Sequence, residues 1–348
     1  MHSDLNKDYF YAFVIPDARK HGAQNFFRRL HENFDSDNKA LVIEENRSFF
    51  KNLLFLSKLS KNRKFNLVTT VNSNKLGLVF KIFHPWSSLV VRLGNTISQE
   101  IKKNTIKFFI HKFFYFLLII FSKKIIFQSM VMKDDFINFF NFNNNEKFKV
   151  IHNGVSIPLP SPKKASSSMT SLDQSKTNFL LVGSFKHQKG YDIFFNALND
   201  MSQELAKKIH FHICGDGEEY DYFYKILNNS HYKNNVTLHG EINPSTFYKD
   251  SNVYILPSRF EGFSNSLIEA LGHGLPAVVA NCPSANMEII EENFNGVFFI
   301  NQNSKDLLKK ITYMVENHAQ FNKGLIIQDV KNRFSIDVIS SIYKELFI

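Results

Sequence analysis

The chain is poor in cysteine and has no apolar run long enough to span a membrane. Its two cysteines, Cys214 and Cys282, stand far apart in apolar contexts. They make neither a disulfide framework nor a metal-ligand spacing, which fits a reducing, cytoplasmic compartment. The amino-terminal stretch "MHSDLNKDYFYAFVIPDARK" lacks the basic region, apolar core and small-residue cleavage site of a secretory leader, so export is not expected. In residues 105–127, "TIKFFIHKFFYFLLIIFSKKIIF", the uninterrupted apolar run reaches only from Phe113 to Phe121, whereas a crossing helix needs roughly 20 apolar residues. Lys107, His111, Lys112, Lys123 and Lys124 flank that run. The segment is expected to be either a buried domain helix, favoured by the strand-like "IIFQS" after it, or a helix touching the lipid interface. No fixed-period repeat occurs, which excludes a solenoid.

What is present points to a globular enzyme-sized protein. At 348 residues the chain exceeds one ordinary core, and domains of about 150 residues make two the expectation. Hydrophobic residues at 44% against charged residues at 21% exclude a disordered chain. Phe occurs 38 times beside plentiful Lys and Asn; these share A/T-rich codons, so part of the bias is compositional. The net charge of +10 is one-sided: residues 1–150 hold 24 Lys/Arg against 12 Asp/Glu, and 151–348 hold 18 against 20. An amino-terminal half that basic can bind nucleic acid, an anionic membrane or a phosphorylated substrate, or simply keep the protein soluble.

Strand-like runs such as "YAFVI", "ALVI", "NLVTTV", "SLVVRL", "IIFQS" and "FKVIHNG" alternate with amphipathic stretches. That alternation predicts a parallel sheet with crossover helices. Residues 156–177, rich in Ser, Pro and Lys, read as a linker. The pattern then restarts with "FLLVGSF", "IHFHICGDG", "VTLHGEI", "VYILPS", "PAVVA" and "GVFFI". The fold class is therefore α/β: two doubly wound, Rossmann-like parallel-sheet domains, with ligands expected beyond the carboxyl ends of the strands.

Three loops stand at such strand ends. In "VGSFKHQKGYD", Gly183 closes a strand, and Lys189 with Gly190 precedes a helix, an arrangement suited to phosphate or to a merely solvated lysine. The "CGDGEEY" loop is compatible with nucleotide contact and equally with a tight structural connection, the reading favoured here. In "SRFEGFSNSLIEALGHGLPAVVA", Glu261 and Gly262 leave a strand, and Ser264 or Asn265 can cap a helix that stops at Gly272 and Gly274. The start of that helix, Phe263 to Ser266, could take a diphosphate. Glu269, about one and a half turns in, should face the same mouth. Two carboxylates there could hold sugar hydroxyls on either side of a diphosphate, or could be a local cap and an exposed helical residue.

Taken together, "VGSFKHQKGYD", "ICGDGEEY", "VTLHGEI", "YILPSRFEGFSNSLIEALGHGLPAVVA" and "PSANMEIIEENFNGVFF" resemble the retaining glycosyltransferases of family 4, which have the GT-B fold. The pieces fall in family order, and the E-x7-E pair Glu261/Glu269 is the most specific. Weaker echoes are "HGAQNFFRRL", "LVVRLGNTISQEI" and "KVIHNGVSIP". The resemblance implies an acceptor-binding domain at 1–155, a linker at 156–177, a nucleotide-sugar domain at 178–330 facing the first across a cleft, and a carboxyl-terminal helix at 331–348 packing back on the first domain.

By the same resemblance Glu261 binds the transferred sugar, Glu269 the nucleotide ribose, and Lys189 the diphosphate, with Glu261 and Lys189 as the catalytic pair. Gly22 is the amino-terminal glycine loop over the diphosphate. His239 to Ile242 line the base pocket. Gly183, Ser184, Gly262, Phe263, Ser264, Asn265 and Ser266 complete the donor set. Ser184 stands where the family commonly has Arg, so Lys186 or Arg92 is expected to supply the missing charge. "PSANMEII" also replaces a commoner S-G-P-x-E-I-I.

The implied reaction is hexosyl transfer with retention from a nucleotide-diphosphate sugar, UDP preferred, without a cofactor or metal. The expected acceptor is a glycan or a lipid-linked carrier of a bacterial-type surface polysaccharide, lipopolysaccharide or capsule. The basic first half would sit peripherally on anionic lipid at the inner face of the plasma membrane, with no nucleic acid as partner. A GT-B epimerase or phosphorylase, and a non-catalytic nucleic-acid- or membrane-binding module, are the alternatives.

Overall fold

The computed structural model describes residues 11–15, 22–35, 40–44, 48–60, 65–94, 96–99, 101–157 and 172–346. The first ten residues, residues 16–21, and most of the expected linker, 158–171, lie outside the described residues.

The chain divides into two compact units, Met1–Ser156 with Phe334–Ile348, and Ile157–Arg333. In the first, β1 (Tyr11–Ile15), α1 (Gly22–Asp35), β2 (Ala40–Glu44), α2 (Phe49–Leu59), β3 (Asn66–Thr70), α3 (Asn74–Phe83), β4 (Ser88–Arg92), α4 (Ile106–Phe121), β5 (Lys124–Phe127), α5 (Met130–Phe140) and β6 (Phe148–Val150) alternate in turn. The second runs β7 (Thr177–Val182), α6 (Tyr191–Asn199), α7 (Gln203–Lys208), β8 (Ile209–Cys214), α8 (Tyr220–Asn228), β9 (Val236–Gly240), α9 (Ser245–Asp250), β10 (Val253–Leu256), α10 (Asn265–Gly272), β11 (Ala277–Asn281), α11 (Asn286–Ile289), β12 (Gly296–Ile300) and α12 (Ser304–Asn317). Helix α13 (Lys323–Phe334) closes it, and α14 (Ile336–Glu345) returns to the first unit.

Each unit is built on a six-stranded sheet, ordered β2-β1-β3-β4-β5-β6 and β12-β11-β10-β7-β8-β9. Every strand pair is parallel. Strand order reverses between β1 and β3 in one unit and between β7 and β10 in the other. These are the topological switch points where doubly wound sheets take ligands.

The period of two along each strand decides which core a side chain joins. Ala12 and Val14 of β1 face a cluster with Leu56, Phe80, Phe108, Leu118 and Phe136, under α2 to α5. Phe13 and Ile15 face the opposite cluster, with Phe26, Phe27 and Phe34 of α1 and Ile339 and Tyr343 of α14. Asn33 Nδ2 donates to Asp337 Oδ1 at 2.6 Å, which ties α14 to α1. Two helix starts of this unit follow the capping rule: Thr105 and Ser129 accept from the backbone N–H of Phe108 and Met132. Asn141 ends α5 in the left-handed conformation at φ 53°.

One expectation needs correction. Helix α4 is not a buried domain helix throughout: only Phe108 and Leu118 are fully buried, and its other side faces outward. A helix laid on one face of a sheet buries one stripe only. Among the described residues, no helix is long and apolar enough to cross a membrane.

Candidate active site

The second unit's switch point gathers the residues that carry chemistry. Strand β7 ends at Val182, Gly183 follows, and the chain makes a short turn through His187–Lys189 before α6. Gly190 joins turn to helix at φ +69°, and a Cβ there would lie 2.2 Å from the carbonyl oxygen of Pro257. Only glycine admits both the left-handed backbone and that approach. The β7 loop is thereby pressed against the loop after β10. Arg259 N donates to Gln188 O at 2.8 Å, and Gln188 Nε2 donates to Phe260 O at 3.0 Å.

This docking brings Lys189 and Glu261 together. Lys189 Nζ lies 2.6 Å from Glu261 Oε1, and Ser258 Oγ donates to the same oxygen at 2.8 Å. Glu261 is buried, and a buried carboxylate is costly unless paired and hydrogen-bonded. Both contacts fall on Oε1. Among the described residues nothing hydrogen-bonds Oε2, which leaves one acceptor of a well-anchored carboxylate for a ligand. A small cavity beside the pair, with room for about one water, is lined by Gly183, Lys189, Tyr191, Leu256, Pro257 and Ser258.

Arg259 is the other cation here, and it is engaged. Its guanidinium forks onto Asp192 at 2.7 and 2.5 Å and donates to His187 O at 2.8 Å. Burial works against ionising Asp192, but the Arg259 hydrogen bonds and charge outweigh it and hold the carboxyl below its ordinary range.

Helix α10 begins at Asn265 with Ser264 at the N-cap position. The expected side-chain cap from Ser264 is not made; its hydroxyl sits 3.4 Å from Ser266 Oγ. Tyr254 explains the helix's placement: from inside β10 its hydroxyl reaches Ser266 Oγ at 2.8 Å and Val182 O at 3.3 Å. Burial keeps this phenol un-ionised, raising it well above its ordinary range. Glu269 is half-buried, with Tyr248 OH 3.4 Å from its Oε2. The helix stops at Gly272, and Gly274 follows at φ +79°.

The "GDG" loop is a tight connection: a Cβ on Gly215 would sit 1.9 Å from Gly183 O. Behind it a ladder of histidines runs across β8 and β9. Asn178 Nδ2 donates to the carbonyls of Asp173 and Lys176, so its Oδ1 accepts from His212 Nε2 at 3.1 Å. His212 Nδ1 is then the acceptor for His239 Nε2–H at 3.2 Å. Burial first, then the neighbouring His210 and His239, pull His212 from 6.5 to about 3, so the imidazole is neutral. This relay leaves Nδ1 of His239 in the acceptor role.

The remaining predicted residues are dispersed. Ser184 is half-buried, Lys186 and Ile242 are exposed, and Phe263 is buried. Gly22 opens α1 in the first unit. Arg92 is not at a surface: it is fully buried at the end of β4, its guanidinium 4.7 Å from the Phe26 ring centroid and bonded to Asn153 Oδ1. Sequence reasoning missed Ser258, Tyr254 and the Asn178–His212–His239 relay. The alternation in "HFHI", with two histidines on one face of a strand, was the available signal.

The fold is GT-B: two Rossmann-like α/β units on parallel sheets, the architecture of the crystal structure of Anabaena Alr3699/HepE in complex with UDP. That structure matches with a TM-score of 0.78 at 19% identity, covering 97% of this chain and 99% of that one. Residues 163–326 match the family model for glycosyl transferases, group 1. The chain is 30% identical over 162 residues to the GtfA subunit of the UDP-N-acetylglucosamine–peptide N-acetylglucosaminyltransferase of Streptococcus agalactiae, covering 41% of this chain and 32% of that protein. It is 26% identical over 239 residues to the capsular polysaccharide biosynthesis glycosyltransferase CapH of Staphylococcus aureus, covering 66% and 61%. The chain thus spans less than two thirds of the length of either relative.

Proposed function

We propose that the protein is a retaining glycosyltransferase of family 4 that moves a hexose from a nucleotide-diphosphate sugar, UDP-linked, to a glycan or lipid-linked acceptor. The product belongs to a bacterial-type surface polysaccharide, and the work is done at the cytoplasmic face of the membrane. The observation that carries this reading is Glu261: a buried carboxylate anchored on one oxygen by Lys189 and Ser258, its other oxygen open, at the switch point of the unit that matches the glycosyl transferase model. The UDP preference is supported by the GtfA relative's name and by the UDP in the HepE structure; the polysaccharide product is supported by CapH.

In this reading Oε2 of Glu261 accepts a hydroxyl of the donor sugar and positions it. Lys189 turns its charge to the diphosphate as the anomeric C–O bond breaks and negative charge gathers on the leaving group. The positive end of α10, at Phe263 to Ser266, adds to that stabilisation, so the leaving group is met by protein charge and dipoles rather than by a metal ion. Glu269 holds the ribose, and His239 to Ile242 border the base. The acceptor hydroxyl arrives on the face the leaving group departs from, its proton passing to the departing diphosphate oxygen as the new C–O bond forms, which retains configuration.

The test is a thermal-shift panel of sugar nucleotides followed by turnover of the best binder. A ligand at about 100 times its Kd adds roughly 2.7 kcal/mol of stability. Glu261→Gln and Lys189→Ala should each cut turnover by about 10²-fold or more. Turnover retained in both variants, or no stabilisation by any sugar nucleotide, sinks the reading.

A further inference from the structure

Among the described residues, the first unit carries an apolar surface that no other element covers. Helix α4 sends Phe108 and Leu118 into the core, yet Ile106, Phe109, Ile110, Phe113, Phe116 and Ile120 are exposed, Ile106 at 81%. Their spacing of three and four residues places them along one side of the helix. Helix α3 packs beside both α2 and α4 on the same face of the sheet. The outward side chains Phe50 (74%) and Leu54 of α2, and Phe83 (67%) and Trp86 at the end of α3, therefore belong to the same outer layer. Scattered exposed apolar residues are ordinary; a layer of three neighbouring helices that all expose them marks an interaction surface.

The charge around this layer says what fits it. From Arg47 to Lys133 the sequence holds 16 Lys/Arg, of which Arg92 is buried, and one acid, Glu100. On the helical wheel of α4, Lys107 and His111 border the apolar stripe on one side and Lys112 on the other. Lys102 and Lys103 precede the helix, and Lys123 and Lys124 follow it. Lys103 and Lys112 lie over the rings of Phe139 and Phe142, at 5.6 and 5.8 Å from the centroids, with apolar stems on apolar surface.

A second copy of the chain is a poor occupant, because it would bring a second set of the same lysines to a seam with almost no acid to pair them. Nucleic acid would use the lysines but leave Ile106, Ile110 and Ile120 with no base to stack on. An anionic bilayer satisfies both features, with the stripe below the headgroups and the lysines among their phosphates.

We propose that the outer face of α2, α3 and α4 docks on an anionic lipid bilayer, with α4 lying in the interface plane. This names the surface for the membrane contact and is independent of the donor site. Trp86, the only tryptophan in the sequence, sits in this layer and supplies a built-in reporter.

The test uses the full chain with phosphatidylcholine vesicles, with and without phosphatidylglycerol, by sedimentation and by Trp86 emission. The wild type should bind the phosphatidylglycerol vesicles at low salt and bind phosphatidylcholine weakly. Trp86 emission should shift to the blue and be quenched by brominated acyl chains. The triple variant Phe109→Ser, Phe113→Ser, Phe116→Ser should keep its thermal midpoint and lose binding by about tenfold or more. Lys103→Gln, Lys107→Gln, Lys112→Gln together should lose about a hundredfold and most of the salt dependence. Several results would overturn the proposal: no vesicle binding at low salt, serine-variant binding equal to wild type, or binding with no change at Trp86. So would a dimer that the serine substitutions abolish, or oligonucleotide binding that only the glutamine substitutions remove, either without vesicle binding. Because none of these readouts involves sugar transfer, a catalytically inactive protein could still dock, and a non-docking one could still bind donor.

Discussion

At the scale of single residues, the site is a problem in burying charge. Glu261 tolerates burial because Lys189 and Ser258 reach the same oxygen, and a hydrogen bond to a charged group is worth about 1.5–3 kcal/mol. Lys189→Ala should therefore cost stability in urea unfolding even without ligand. In a double-mutant cycle with Glu261→Gln the two changes should fall short of additive by about 0.5–3 kcal/mol; simple additivity would mean the pair does not interact in solution. His212 makes a prediction in pH. Its folded pKa of about 3 lies below the ordinary 6.5, so the unfolded chain binds the extra proton and stability rises with pH across that window. The contribution is complete above about 6.5 and is lost towards acid, by up to roughly 1.4 kcal/mol per pH unit. Urea midpoints measured as a function of pH should show this loss begin above the carboxylate range, and His212→Phe should flatten it.

At the scale of elements, the active loops are positioned by close backbone approach. Gly190 lets the β7 loop rest on Pro257, and this contact sets Lys189 opposite Glu261. Gly190→Ala must either strain a left-handed backbone, at about 1–2 kcal/mol, or push the two loops apart to relieve a 2.2 Å contact. Donor binding should weaken more than global stability falls, which calorimetry of sugar-nucleotide binding beside thermal unfolding would separate. The glycine beside Lys189 was legible in the sequence, as were the strand ends and the E-x7-E spacing. Its contact was not, because Pro257 follows β10, a strand that only the sheet order makes a neighbour of β7. Helix α4 shows the reverse failure. Its composition said apolar, and composition does not record which side of a helix meets the sheet.

At the scale of the whole molecule, each unit has its own sheet, and α14 completes the first by placing Ile339 and Tyr343 in the core beside Phe26. Tyr343→Ala should destabilise that unit by about 3–5 kcal/mol, as large aromatic truncations in cores do, while sugar-nucleotide binding to the second unit persists; equal loss of both would show that the second unit's site depends on the first unit's core. By itself the sequence determined the two parallel-sheet units, the strand ends and the loops that hold the candidate residues. These follow from apolar period, glycine placement and capping residues, all of which are local. Only the tertiary structure decided that Ser258 shares Glu261 with Lys189, that Arg259 is taken up by Asp192, that Arg92 is interior, and that α4 keeps an apolar side in the open. Each depends on which distant segments become neighbours, and the energy of burying or pairing a group exists only once those neighbours are in place.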